Sequence, residues 1–246
     1  METKLNYKRT FLIGLAFLSI CSFWQMYDNI IPLILQNTYH LGETMTGAVM
    51  ALDNVLAIFL LPVFGTLSDK VHTKLGRRMP FIVSGTILAV IFMMLLPMID
   101  NAEKARWGTV ESFSNQVIFL AVLFFTLVSM GLYRSPAVAL MPDVTPNHLR
   151  SRANAVINLM GAVGGVYALI MIKVLVGKGE TPDYLPLFAS IAAVMAIAVG
   201  ILVITIRENK LREEVEKAEA ANAGTIEEKA MAERSEEHTS ELQSQR

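Results

Sequence analysis

Six stretches of the chain are apolar over a length that crosses a bilayer: Phe11 to Leu35, Met45 to Leu67, Pro80 to Ile99, Gln116 to Leu140, Asn154 to Val176 and Leu185 to Ile206. A spanning helix needs about 20 predominantly apolar residues, because lipid offers no partner to an unsatisfied backbone group. The pattern predicts an all-α membrane protein, with six transmembrane helices forming one bundle over residues 1–207. The first stretch is too long, and too polar in its second half, for a cleaved signal peptide. After Ile206 the pattern turns abruptly to Glu, Lys and Ala. Leu211, Val215 and Ala218 stand at helical spacing there, which predicts a short amphipathic surface helix followed by a polar stretch.

Charge placement sets the orientation. With the N-terminus inside, the inner flanks carry twelve bases: Lys4, Lys8, Arg9, Lys70, Lys74, Arg77, Arg78, Arg150, Arg152, Arg207, Lys210 and Arg212. The outer flanks carry three, Lys104, Arg106 and Lys178. Positive flanks stay cytoplasmic, so both ends are expected inside the cytoplasmic membrane of the cell. Hydrophobic residues make up 53% of the 246 and charged ones only 17%, which excludes an ordinary soluble core. The near-neutral balance, net -1, offers nothing to nucleic acid. The single Cys21 excludes a disulfide framework within one chain. There is no Gly-rich phosphate loop, nucleophile triad or metal-spaced cluster, and His40, His72 and His148 are isolated. The expectation is a protein that is not an enzyme, with no metal and no cofactor.

Charged residues inside a span are retained mainly where they face a protein interior or a watery cavity. Asp28 and Asp53 fall at similar depth on antiparallel neighbours, about 10 and 12 Å from the outer ends of their helices. Two carboxylates so placed repel each other, which favours sharing a proton or a sodium ion. Trp24, Gln25 and Asn54 sit beside them, and an aromatic face with amide partners suits a sugar ring, although helix packing would use the same residues. Arg134, about 18 residues into the fourth span, keeps its charge and needs a permanent partner. A salt bridge to Asp28, Asp53 or Asp143 is favoured over direct substrate contact. For Asn158, an interhelical hydrogen bond is favoured over a place in the cavity. Gly161 and Gly165 form a small-xxx-small pair for close helix packing, with Gly164 beside it.

Between spans two and three lies Gly65-Thr-Leu-Ser-Asp69-Lys70-Val-His-Thr-Lys-Leu-Gly76-Arg77-Arg78. Gly65 allows a helix to approach, Asp69 can accept from a helix N-terminus or an arginine, and Arg77 and Arg78 are expected to anchor the loop at the anionic inner leaflet. This run resembles the loop signature of the major facilitator superfamily. Three extra residues between Asp69 and Gly76 make it similar to the glycoside-pentoside-hexuronide cation symporters and the sucrose-proton symporters. The run Tyr133-Arg134-Ser-Pro-Ala-Val-Ala-Leu-Met-Pro-Asp143, then Arg150-Ser-Arg152-Ala-Asn154, looks like the fourth-helix region of the sucrose branch.

The resemblance covers residues 8–207 and implies the N-terminal half of a twelve-helix carrier, with a sugar and a coupled cation bound between two six-helix bundles. By position, Asp28 matches an acid tied to coupling in sucrose symporters, and Arg134 matches their fourth-helix arginine. Asp53 falls on the helix where melibiose-type carriers place cation-binding acids, without reproducing their spacing. A proton is therefore the expected coupling ion, with sodium as the alternative. The implied partners are a small sugar, the lipid bilayer and a second six-helix half. A rival from the same superfamily is an efflux antiporter, against which the fifth span lacks a proline-containing glycine signature. A complete six-span structural protein and an intramembrane aspartyl protease, for which Tyr27-Asp28 would be half of the pair, are weaker readings.

Residues 208–233 are expected to begin a central cytoplasmic loop. Arg234 to Ser244 looks like the conceptual translation of a short-read sequencing adapter, so residues 234–246 are expected to be an artefact and the natural frame to run on past about residue 233.

Overall fold

A computed structural model describes residues 5–106, 113–177, 179 and 182–220. Lys4, Lys178 and residues 221–246, including the adapter-like run, lie outside the described residues. Six long helices follow one another: α1 (Tyr7–Asn37), α2 (Glu43–Lys70), α3 (Met79–Lys104), α4 (Phe113–Asp143), α5 (Arg150–Leu175) and α6 (Leu185–Thr205). A 3-10 turn, Asn147–Leu149, precedes α5, and residues 208–220 form a further helix, α7. All six long helices are long and apolar enough to span a membrane, which makes this a multi-pass membrane protein. Most run past the apolar stretches at one or both ends, because polar flanks such as Tyr7 to Thr10 and Ile99 to Lys104 continue the helix into the headgroup layer.

The bundle is organised around α1, which packs along α5 and α6, while α3 lies against α4 and α6. The α1 face bearing Ile13, Ile20, Phe23, Tyr27, Ile30 and Ile34 is buried at helical spacing. Close approach of α1 and α5 comes from Gly161 and Gly164. A Cβ on Gly161 would stand 2.9 Å from the Cys21 sulfur, and one on Gly164 would run into the Leu18 backbone. The expected Gly161/Gly165 pair is corrected to this extent: at Gly165 a Cβ would meet only Gln25, at an ordinary 3.7 Å. The register of the contact leaves Gly165 on the open side. Helix α2 is the outlier. It touches the bundle mainly through α4, and Ile58, Phe59 and Val63 are more than half exposed.

Two polar knots close the ends. Where α1 and α3 end, Asp100 is fully buried, accepts from Thr38 Oγ1 on the α1 C-cap at 2.7 Å, and pairs with Lys104 at 2.6 Å. Lys104 also donates to the Pro182 carbonyl and lies 4.5 Å from the Tyr184 ring centre, so one cation ties α1, α3 and the start of α6. Burial and the neighbouring Asp100 and Glu103 carboxylates push the Tyr39 phenol well up, and burial with Asp100 raises Tyr184.

At the opposite end the α2–α3 loop folds around arginines. Arg78 is 6% exposed. Its guanidinium meets Asp69 at 2.6 Å and Asp143 at 3.0 Å, and donates to the Gly65 carbonyl and to Ser68 Oγ. Arg77 reaches the same Asp143 at 3.1 Å and lies 3.9 Å from Asp69. The expectation that these arginines anchor the loop in lipid headgroups is overturned, because carboxylates on α2 and α4 claim them first. Gly65 receives the side chain of Ser135 from α4, 3.3 Å from where its Cβ would stand, rather than an outside helix. Lys70 stays exposed outside the knot.

Helix α7 straps this end. Glu208 is 1% exposed and accepts from the backbone N–H groups of Arg77, Arg78 and Met79, the two residues before α3 and its first. A carboxylate there satisfies orphan donors and complements the helix dipole. Gly76 makes room for it, with φ +125° and a Cβ position that Glu208 already fills. Asn209 holds the Thr73 and Lys74 carbonyls, Glu214 pairs with Arg9, and Glu219 accepts from Asn147 N–H. Glu208→Ala should therefore cost about 1–2 kcal/mol, the range of a lost N-cap, visible as a lower unfolding temperature in detergent. An unchanged temperature would show that α3 starts equally well without the cap.

Candidate functional site

An open groove of about 430 Å³ runs along the contact of α1 and α5, lined by Trp24, Gln25, Asp28, Asn158 and Gly165 among others. Helical spacing on α1 aligns Cys21, Trp24, Gln25 and Asp28 on this side, while Phe23 and Tyr27 turn into the core. Asp28 and Asn158 are exposed to the groove. Asn158 makes no interhelical hydrogen bond among the described residues, contrary to expectation, because the α1–α5 contact passes through its neighbour Ile157, which is fully buried.

Trp24 is the wall between this groove and a second, water-sized void of about 20 Å³, lined also by Asp53 and Arg134. Its ring packs edge-on against Phe23 at 5.3 Å and Tyr27 at 5.4 Å, and the Arg134 guanidinium lies 5.5 Å from its centre. Among the described residues Arg134 makes no ion pair, so the favoured salt bridge is corrected. Asp143 is spent on Arg77 and Arg78 at the membrane face, and an aromatic ring supports the cation instead. Asp28 lines the groove on one side of Trp24 and Asp53 the void on the other. Asn54 is exposed and donates to Asp53 Oδ1 at 3.0 Å, which orients that carboxylate. Two buried donors, Trp24 Nε1 and Tyr27 Oη, find no partner within the described protein. The groove and the void on either side of Trp24 thus hold Asp28, Asp53, Arg134, Gln25 and Asn158, with Trp24 Nε1 and Tyr27 Oη unpartnered between them.

The core behind the site is tied across helices by buried hydroxyls. Tyr133 Oη, fully buried on α4, bonds Ser19 at 2.6 Å and the Ala16 carbonyl at 3.0 Å, and Ser22 donates to the Gly164 carbonyl. These hydroxyls were not among the residues singled out from sequence, since serine and tyrosine in an apolar run give no local sign of which face they take.

A family model described as Major Facilitator Superfamily matches residues 13–240. The chain belongs to this superfamily of transporters. Among curated relatives it is similar to a sucrose transport protein of Oryza sativa subsp. japonica, 26% identical over 137 residues, which is 52% of this chain and 27% of that protein. A sucrose transport protein of Arabidopsis thaliana is 34% identical over 116 residues, 44% of this chain and 22% of that one. An uncharacterized symporter of Synechocystis sp. is 24% identical over 144 residues, 56% and 25% respectively. The matched stretches span about a quarter of each of these relatives. The knot of Asp69, Arg77, Arg78 and Asp143 closes the α2–α3 loop against the end of α4, and the groove opens on the face of α1 and α5.

Proposed function

We propose that this chain is part of a secondary active sugar symporter of the cytoplasmic membrane, driven by a cation for which a proton is the better candidate, with both ends of the bundle cytoplasmic. The observation that carries the reading is the joint placement of Asp28, Asp53 and Arg134 around Trp24, beside an open groove of about 430 Å³. Sugars are held by an apolar ring face against an aromatic and by hydroxyls against carboxylates and amides. Trp24, Gln25 and Asn158 supply these beside Asp28. The names of the relatives, sucrose transport proteins and a symporter, point the same way. In this reading a second six-helix half faces the groove and the two halves rock about it. A proton taken up by the Asp28/Asp53 pair from outside removes one charge, relieves the repulsion between the carboxylates and leaves on the inside after the sugar. Arg134 keeps the remaining charge of the site balanced.

Asp28→Asn in the full-length carrier should abolish proton-driven sugar accumulation in proteoliposomes while sugar exchange across equal concentrations persists, because asparagine keeps the shape and hydrogen bonds but carries no proton. Undiminished accumulation by that variant would remove Asp28 from coupling.

A further inference from the structure

On the opposite side of the bundle, α3 and α6 diverge to leave a groove of about 420 Å³, whose walls are almost wholly carbon. It runs from Val83 and Ile204 near the inner end to Ile91 and Ala196. Eight residues of helix make this about 12 Å, close to the depth of one leaflet's chains in a core of about 30 Å. Its one hydroxyl, on Thr86, is spent on the Ile82 carbonyl. Gly200 opens the floor: a Cβ there would meet nothing within 4 Å. Ile87 and Ile204, on the rims, are 55% and 83% exposed.

The inner mouth is charged. Arg207 follows Ile204 by three residues, and the Glu208 carboxylate, bonded to the first N–H groups of α3, fixes that segment beneath the mouth. Asn209 brings the loop carrying Lys74 to the same place through the Thr73 and Lys74 carbonyls. Lys74, Arg207 and Lys210 are exposed and make no ion pair among the described residues; of the acids nearby, Glu208 caps α3 and Glu214 pairs with Arg9, while Glu213 is exposed one turn after Lys210. An apolar slot nearly one leaflet deep, followed in the chain and the adjoining loop by three exposed cations, is complementary to a molecule with a hydrocarbon chain and an anionic head.

We propose that the α3–α6 groove holds one acyl chain of an anionic phospholipid of the inner leaflet, with its headgroup against Lys74, Arg207 and Lys210. The site is separate from the sugar groove and does not depend on the transport reading. Its occupant would pin the inner ends of α3 and α6 together from outside, as Glu208 does from within.

The test is native mass spectrometry of the full-length carrier in detergent, titrated with phosphatidylglycerol or phosphatidylcholine of the same chains. One phosphatidylglycerol should bind at a concentration at least about ten-fold lower than phosphatidylcholine. Gly200→Trp, whose Cβ would have no atom within 4 Å to displace, should occupy the slot and remove that molecule. The triple change Lys74→Gln, Arg207→Gln, Lys210→Gln should bring the two lipids to equal binding. Phosphatidylglycerol carrying a diazirine in its acyl chain should label peptides of α3 and α6 in the unsubstituted carrier, a readout that needs no variant to fold. Undiminished lipid binding by Gly200→Trp, or labelling spread evenly over all helices, would overturn the proposal. So would a dimer that Gly200→Trp dissociates with lipid binding intact, since the slot would then belong to a second copy.

Discussion

Lys104→Ala is expected to lower stability by about 3–5 kcal/mol, the cost of leaving a buried charge without its partner. Asp100 has no exposed surface, and the Thr38 hydroxyl that also reaches it cannot neutralise it. The same change removes a hydrogen bond to the Pro182 carbonyl and the cation above Tyr184, so the outer ends of α1, α3 and α6 lose their common tie. The size of the effect separates two causes. If the buried charge dominates, Lys104→Ala combined with Asp100→Asn should recover most of the loss, because a neutral amide still accepts from Thr38. If the lost tie to α6 dominates, the double variant should be as unstable as the single one. Thermal unfolding of the purified protein in detergent reads both, and a loss under about 1 kcal/mol for Lys104→Ala would mean that water reaches Asp100.

Arg78→Ala should be nearly as damaging, at about 3 kcal/mol. One guanidinium, 6% exposed, joins three helices: it meets Asp69, Ser68 and the Gly65 carbonyl on α2, and Asp143 on α4, from the start of α3. Helix α2 is held mainly by α4, including the Ser135 hydroxyl on the Leu61 carbonyl, and no residue of its most apolar window is fully buried. The loss should therefore be local as well as global. Hydrogen exchange should quicken in the last turns of α2, residues 64–70, while α1 and α5 stay protected. Arg78→Lys should restore less than half of the stability, because an ammonium cannot address two carboxylates and a carbonyl with a planar fork of donors. Equal exchange in α2 for all three proteins would show that the knot does not hold that helix.

Much of the architecture was legible from residue order. The requirement that lipid leave no backbone group unpaired forces long apolar runs to be helices, so the number of helices and their approximate centres follow from hydropathy alone. Their ends did not follow, because Tyr7 to Thr10 and Asp100 to Lys104 are polar yet continue the helix into the headgroup layer. The site was legible in part. Trp24, Gln25 and Asp28 share a face because of their spacing on one helix, and the structure adds Asn158 from α5 to that face. Arg134 was assigned the wrong partner. Local sequence names the ionic residues on each helix but not how far apart their helices place them, and Asp143 at the end of α4 turns out to belong to the α2–α3 loop. Gly164 rather than Gly165 carries the helix contact for a similar reason, since adjacent glycines differ only in the rotation of the helix against its neighbour.

What the sequence determined by itself is what periodicity and solvent decide: an all-α membrane bundle, a charged signature loop, intramembrane acids on one face of α1 and on α2, and a polar segment after the last span. What only the tertiary structure decided is every pairing across the chain. Glu208 meets the N-terminus of α3 about 130 positions away, Tyr133 closes on Ser19, and Arg134 rests on Trp24. Hydropathy is a property of one segment and its solvent, whereas a buried charge or hydroxyl is satisfied by whichever group packing brings within hydrogen-bond reach, and packing is settled only when all the helices are in place.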